Sequence, residues 1–245
     1  MDDYAFFRDK KEHFVPITPV AALKAYESDF APITAFINKS NSTKPLDEEP
    51  YDIDVIERLL SRENLGLQSN IMLFGIFEKL IFNPDQEIAL FAAESINIIE
   101  NRYNKKIQNL KDELKEEQNI DKISELGSLF YELAILNKKR EAIKSFFLKE
   151  ALVFYTKVED GRELTDSELN VYIRLLLELK LNDEAAEKLE NDARTNGTLL
   201  LLLKAEVEFA RKEYIKVKKI CTELLDHIEY LSEKQFVMVS YWMGV

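Results

Sequence analysis

Apolar residues recur at helical spacing along most of the chain. Ile53 and Ile56 begin a first short pattern of this kind, and a second apolar-rich segment covers residues 69–82. Residues 83–85 (Asn-Pro-Asp) interrupt the pattern, and it resumes over residues 88–99. Because positions three and four apart lie on one face of an α-helix, the pattern predicts successive amphipathic helices.

The third of these helices is predicted to be long. Apolar positions continue through Tyr103, Ile107 and Leu110, while the other faces carry mostly lysines and acids. We expect this helix to end near Asn119, with Asp85 placed to cap its beginning. Low glycine and proline counts, six of each, agree with few turns and long continuous elements.

The first 50 residues differ from the rest of the chain. They hold five of the six prolines, and proline removes a backbone donor and fixes φ, so long helices are not expected there. We predict an N-terminal arm and linker over residues 1–50, with a short helix over residues 19–26. Apolar side chains of the arm are expected to pack on the body of the protein (Phe14, Val15, Phe30 and Phe36).

Residues 51–119 form the second predicted region. The residues 71–75 (IMLFG) and 88–92 (IALFA) align with each other, and the small residues among them allow neighbouring helices to approach closely. Residues 83–93 (NPDQEIALFAA) resemble a HEAT-type repeat, in which an Asp-bearing turn leads into an Ala-rich helix. This resemblance implies stacked helical pairs that end in the long helix.

Residues 120–245 form the third predicted region, with a helical-hairpin pattern. Three segments each contain an apolar helix, a short polar turn and a second helix, and they align on Ala142, Ala186 and Val217. Their spacings, 44 and 31 residues, become similar once the turn-rich residues 159–167 are set aside, where Thr165 or Asp166 is expected to cap a helix. The pattern resembles tetratricopeptide (TPR) repeats, whose period is about 34 residues.

Together these resemblances imply an all-α fold, an α-α superhelix (solenoid) of HEAT-like and then TPR-like hairpins. The last helix, over residues 233–242, is predicted to cap the apolar end of the stack. The alternative is that it docks a partner. Neither the partner nor the oligomeric state follows from the sequence.

Composition and charge argue against most chemistry. The net charge of −12 repels phosphate backbones, so we expect no nucleic-acid partner. One cysteine, Cys221, and two distant histidines, His13 and His227, give no zinc ligand set. The six glycines are too dispersed for a phosphate-binding loop. We therefore predict no catalytic residue, no cofactor, no metal and no small-molecule substrate.

What remains is protein binding on a concave face. In a TPR register the first helix of each hairpin lines that face, which would be acidic and apolar. A basic or amphipathic partner helix is the occupant that this charge favours. The alternative is that Leu175 and Phe209 belong to the core. The predicted partner-binding residues are Tyr131, Glu168, Leu175, Glu178, Glu206 and Phe209.

One further resemblance concerns the order of these regions. Residues 87–94 (EIALFAAE), followed by residues 98–104 (IIENRYN), are similar to the cytoplasmic repeat region of PelE-type proteins. These are inner-membrane scaffolds of bacterial Pel exopolysaccharide secretion, so the resemblance implies a cytoplasmic scaffold with a membrane anchor upstream of Met1. Its partners would include a cyclic-di-GMP receptor and a glycosyltransferase. The alternatives are a soluble TPR adaptor in pilus or flagellar assembly, or the regulatory subunit of an enzyme.

Overall fold

The computed structural model describes residues 51–192, 197–226, 231 and 233–244. Every regular element in these ranges is an α-helix, and none of the described residues is in a strand. The predicted all-α class is therefore confirmed. The predicted arm with its short helix, and both histidines, lie outside the described residues.

Ten helices are described, and the chain divides between Asn64 and Leu65 into two units. The first helix belongs to the first unit and the other nine to the second. The predicted region boundaries at residues 50 and 119 stay predictions. The helices are α1 (Ile53–Leu60), α2 (Leu67–Leu80), α3 (Gln86–Glu116), α4 (Ile120–Leu136), α5 (Glu141–Gly161), α6 (Asp166–Glu178), α7 (Asn182–Asn191), α8 (Thr198–Ala210), α9 (Tyr214–Leu225) and α10 (Glu233–Met243).

Local capping chemistry sets several helix starts. The Asp85 carboxylate accepts a hydrogen bond from the Glu87 amide at the start of α3, as predicted. Thr165 caps α6 in a capping box, in which its hydroxyl accepts from the Glu168 amide and the Glu168 carboxylate accepts from the Thr165 amide. A capped start satisfies amides that have no partner within the helix, which is why these two positions could be predicted.

Helices α2 to α10 pack in chain order. Each one contacts its neighbour in sequence, and α2, α4, α6 and α8 also contact one another in succession. The two helices that follow the long α3 approach closely, because Gly127 of α4 faces the ring of Tyr155 on α5. None of the helices in the described ranges combines the length and the apolarity needed to cross a membrane.

The turns after α6 and α8 have the same geometry, 32 residues apart. Lys180 and Lys212 both adopt left-handed backbone conformations, with φ of 63° and 64°. In each turn the amide after the lysine donates to the carbonyl five residues before it: Leu181 to Leu176, and Glu213 to Glu208. This is the Schellman ending of a helix, here with lysine at the position that usually holds glycine.

The three residues used to align the hairpins have different surroundings. Ala186 and Val217 are buried, whereas Ala142 is exposed. The helix before Ala142, α4, has 17 residues, whereas α6 and α8 have 13. Helix α4 is thus about one turn longer than α6 and α8, and its close contact with α5 is made by Gly127, against Tyr155, and not by Ala142.

Candidate functional site

An open groove of about 690 Å³ spans α4, α5, α6 and α8. It contains three of the six predicted partner-binding residues: Tyr131, Glu178 and Glu206. The helices that supply these three residues, α4, α6 and α8, are those that contact one another in succession. We call this surface the ion-pair groove; its residues are Tyr131, Glu141, Lys144, Arg174, Leu177, Glu178, Lys180 and Glu206.

Two ion pairs cross the ion-pair groove. Lys144 Nζ lies 2.6 Å from a carboxylate oxygen of Glu178 and joins α5 to α6. Arg174 Nη2 lies 3.0 Å from Glu206 Oε1 and joins α6 to α8. The groove thus has as many basic side chains as acidic ones, which differs from the acidic face expected from the sequence. Arg174 comes one turn before Glu178 on the same helix, so it brings a positive charge to the same surface.

Tyr131 is the aromatic side chain of the ion-pair groove. Partial burial raises the pKa of its hydroxyl, and the positive charge of Arg174 opposes this shift. The tyrosine is therefore neutral at physiological pH. Within the described ranges its hydroxyl makes no hydrogen bond, so it is available to donate to a ligand in the groove.

The other three predicted residues lie elsewhere. Leu175 is completely buried and belongs to the core, as the alternative interpretation expects. Glu168 is buried at the start of α6. Phe209 is 37% exposed and packs against Tyr214 and Trp242, with ring centroids 5.7 and 5.9 Å apart.

Glu168 is the centre of a polar network that holds three helices together. Its two carboxylate oxygens accept from the Arg162 guanidinium at 2.7 and 2.8 Å, and also from the Ser124 hydroxyl and the Thr165 amide. Arg162 further donates to Asp121 at the start of α4. The hydrogen bonds from Arg162 lower the pKa of Glu168 to about 2, against the opposing effect of burial. This network is structural, because every oxygen of the carboxylate is already used.

A second buried network connects α2, α3 and α4. Asn70 Nδ2 donates to the Tyr103 hydroxyl at 3.2 Å, and that hydroxyl donates to Glu132 Oε2 at 2.8 Å. Burial raises the pKa of Tyr103, and the hydrogen bond to Glu132 raises it further. The sequence indicated Thr165 as a candidate cap but neither network as a whole, because the contacts that join different helices are between residues 29 to 44 positions apart.

Neither a reactive cysteine nor a metal site is found in the described part of the chain. The Cys221 side chain is completely buried, and burial raises the pKa of its thiol, which disfavours the reactive thiolate. Among residues 51–192, 197–226, 231 and 233–244, no group of three or more His, Cys, Asp or Glu side chains could hold a metal ion. The predictions of no catalysis and no cofactor stay predictions.

Comparisons with known proteins add no family to these observations. The chain matches no protein-family model, no curated protein and no solved structure. The resemblances to HEAT-type, TPR and PelE-type proteins therefore stay predictions from the sequence.

Proposed function

We propose that this protein is a non-catalytic protein-protein interaction scaffold that binds a partner in the ion-pair groove. The observation that carries this proposal is the convergence of side chains from four helices on one open groove, among them Tyr131, Glu178 and Glu206. A groove of this kind is shared by successive hairpins, so it exists only when they are stacked.

A superhelical stack of hairpins is the arrangement that we propose for α2 to α10. Two observations support it. The first helix of each hairpin contacts the first helix of the next, along the series α2, α4, α6 and α8. The turns at Lys180 and Lys212 repeat the same backbone geometry after 32 residues, close to the period of about 34 that is typical of TPR proteins.

An amphipathic helix with basic side chains is the partner that we propose. Tyr131 and Leu177 offer the groove its apolar contacts. Ion pairs near the surface stabilise a fold by only about 0–1 kcal/mol, and Glu178 is 40% exposed. A basic side chain of a partner can therefore approach the exposed side of the Glu178 carboxylate and share it with Lys144, whose own side chain is only 17% exposed. The phenol of Tyr131 supplies an additional hydrogen-bond donor.

The assembly that we propose is the cytoplasmic side of a bacterial exopolysaccharide secretion machine. This step rests on the resemblance of residues 87–104 to PelE-type proteins alone. The soluble adaptor of pilus or flagellar assembly is the competing assignment, and the genes beside the coding sequence distinguish the two. Polysaccharide genes favour the first, and motility genes favour the second.

Charge reversal in the ion-pair groove tests the proposed site. We would capture partners from the native cells with the wild-type protein, purify the main partner and measure its association rate by surface plasmon resonance. The double variant E178K/E206K is expected to lower the association rate by about tenfold or more, because charge complementarity acts mainly on that rate. The matched control is E184K/E187K, which makes the same charge change at exposed positions of α7.

Circular dichroism and thermal melting show whether each variant is folded. Equal association rates for wild type, E178K/E206K and E184K/E187K would remove the ion-pair groove from the proposed function. An equal loss in both variants would mean that only net charge matters, and would also contradict the proposed site.

A further inference from the structure

A second groove, of about 550 Å³, lies where the ends of α3 and α5 flank the start of α4. Its surface is mainly apolar, but the side chains at its edge include three lysines. We call it the lysine-rimmed groove. Its principal residues are Leu114, Ile123 and Phe154 on the floor and Lys111, Lys115 and Lys157 on the rim, where Asp160 is the one acidic side chain of the lining.

Two of the rim lysines lie over aromatic rings. Lys111 Nζ is 5.2 Å from the centroid of Phe130, and Lys157 Nζ is 5.3 Å from the centroid of Phe154. Neither ammonium group forms an ion pair with a carboxylate of the described residues. The third, Lys115, is paired with Asp112 at 2.7 Å. In a chain of net charge −12, the groove thus offers two ammonium groups beside an apolar floor.

A row of aromatic contacts leads from the lysine-rimmed groove along α5 through the buried Phe130 of α4. Phe154 stacks on Phe130 with centroids 5.5 Å apart, Phe130 contacts Phe147 at 6.2 Å, and Phe147 contacts Phe146 at 5.4 Å. Phe146 is 56% exposed and Val153 is 50% exposed. From Phe146 to the end of the groove at Lys157 the helix rises about 16 Å, the length of three helical turns.

The groove between α5 and α7 provides an internal comparison. Its volume is about 490 Å³, and it lies over the start of α6, between α5 and α7. The lysine-rimmed groove has the corresponding position over the start of α4, between α3 and α5. There, however, the cations are already paired within the protein: Arg162 with Glu168, and Lys188 with Glu159. Of these two grooves, it is the lysine-rimmed groove that combines an apolar floor with ammonium groups that have no carboxylate partner among the described residues.

We propose that the lysine-rimmed groove binds an acidic amphipathic helix of a partner protein. The apolar face of that helix packs on Leu114, Ile123 and Phe154, and its carboxylates reach Lys111 and Lys157. The open groove, together with the exposed Phe146 and Val153 along α5, suits a helix, which presents apolar residues at three- and four-residue spacing. This site is separate from the ion-pair groove and has the opposite charge preference.

Peptide binding to the full chain tests this site. The probe is a fluorescein-labelled 15-residue helical peptide with Leu and Phe on one face and Glu on the other, measured by fluorescence anisotropy. Its counterpart carries Lys in place of every Glu. We expect the acidic peptide to bind about tenfold more tightly or better, with an affinity that falls as salt is added.

Exposed lysines provide the matched variants. K111E/K157E is expected to weaken the acidic peptide by about tenfold or more, whereas K105E/K106E, on the exposed surface of α3, is expected to leave it unchanged. E178K/E206K is also expected to leave it unchanged, so the two proposed sites can fail independently. Circular dichroism checks that every variant keeps its helical content.

Three results would overturn the proposal. The first is that the wild-type protein binds the acidic and the basic peptide with equal affinity. The second is that K111E/K157E binds the acidic peptide with the same affinity as the wild-type protein. The third comes from light scattering: a wild-type dimer that K111E/K157E converts to a monomer would mean that a second copy of the chain occupies the groove.

Discussion

Replacing Glu168 by glutamine removes one negative charge from the buried network at the start of α6 and changes little else in shape. The carboxylate accepts two hydrogen bonds from Arg162 and others from Ser124 and the Thr165 amide. In E168Q one oxygen becomes an NH2 group, which faces donors and cannot accept from them. Arg162 then loses its main ion-pair partner, and one of the former donors is left without an acceptor.

The pKa of Glu168 gives the size of the expected effect. It falls from an ordinary 4.5 to about 2 in the folded protein. A shift of about 2.5 units corresponds to about 3 kcal/mol of folding free energy at neutral pH. Because the folded-state pKa is the lower one, this contribution is present above pH 4.5. It decreases as the pH falls toward 2, to about half near pH 3.

Urea unfolding followed by circular dichroism measures this contribution. We expect E168Q to lower the free energy of unfolding by about 3 kcal/mol at pH 7, and the difference from wild type to shrink between pH 5 and pH 3. The matched control is E163Q, which neutralises an exposed glutamate five residues earlier and should cost under about 0.5 kcal/mol.

Two results would refute the reasoning for Glu168. One is a loss below about 1 kcal/mol at pH 7, which would mean that the Arg162 ion pair is no stronger than a solvent-exposed one. The other is a difference between E168Q and wild type that does not change with pH. That result would trace the loss to packing and not to the charge of the carboxylate.

The remaining predictions concern backbone positions, and urea unfolding measures each of them. G127A is expected to cost about 1 kcal/mol, because the new Cβ would lie 3.1 Å from ring atoms of Tyr155. Its control, G75A, adds a Cβ into open space within α2 and should raise the free energy of unfolding by about 1 kcal/mol. If G127A also stabilised the protein, the close approach of α4 and α5 at Gly127 would be contradicted. K180G and K212G should each raise the free energy of unfolding by up to about 1 kcal/mol, because glycine adopts the left-handed conformation without the strain that a Cβ causes. Destabilisation by both variants would contradict the turn geometry.

Much of the helical framework could be predicted from the sequence, because the signals that define a helix are local. The three- and four-residue spacing of apolar residues located the helices, and side chains beside the first turn marked the starts at Asp85 and Thr165. The predicted end of the long helix near Asn119 lies within three residues of its last residue, Glu116. The all-α class follows from these patterns together.

The candidate site depended on tertiary structure. Periodicity gives a helix an apolar face, but its neighbours decide which side chains of that face they cover, so Leu175 is buried while Tyr131 lines the groove. The charge balance of the groove depends on which helices meet there: Arg174 lies opposite Glu206, which is 32 residues away in the chain.

By itself, then, the sequence determined that this chain forms successive amphipathic helices, where many of them begin and end, and how acidic it is. Only the tertiary structure decided that Ser124 and Glu168, 44 residues apart, meet in one buried network. It also decided that two lysines border an apolar groove with no carboxylate partner in the part of the chain that the structure describes. The physical reason is range. Helix formation depends on residues within about four positions of one another, whereas burial and ion pairing depend on which helices the fold brings together.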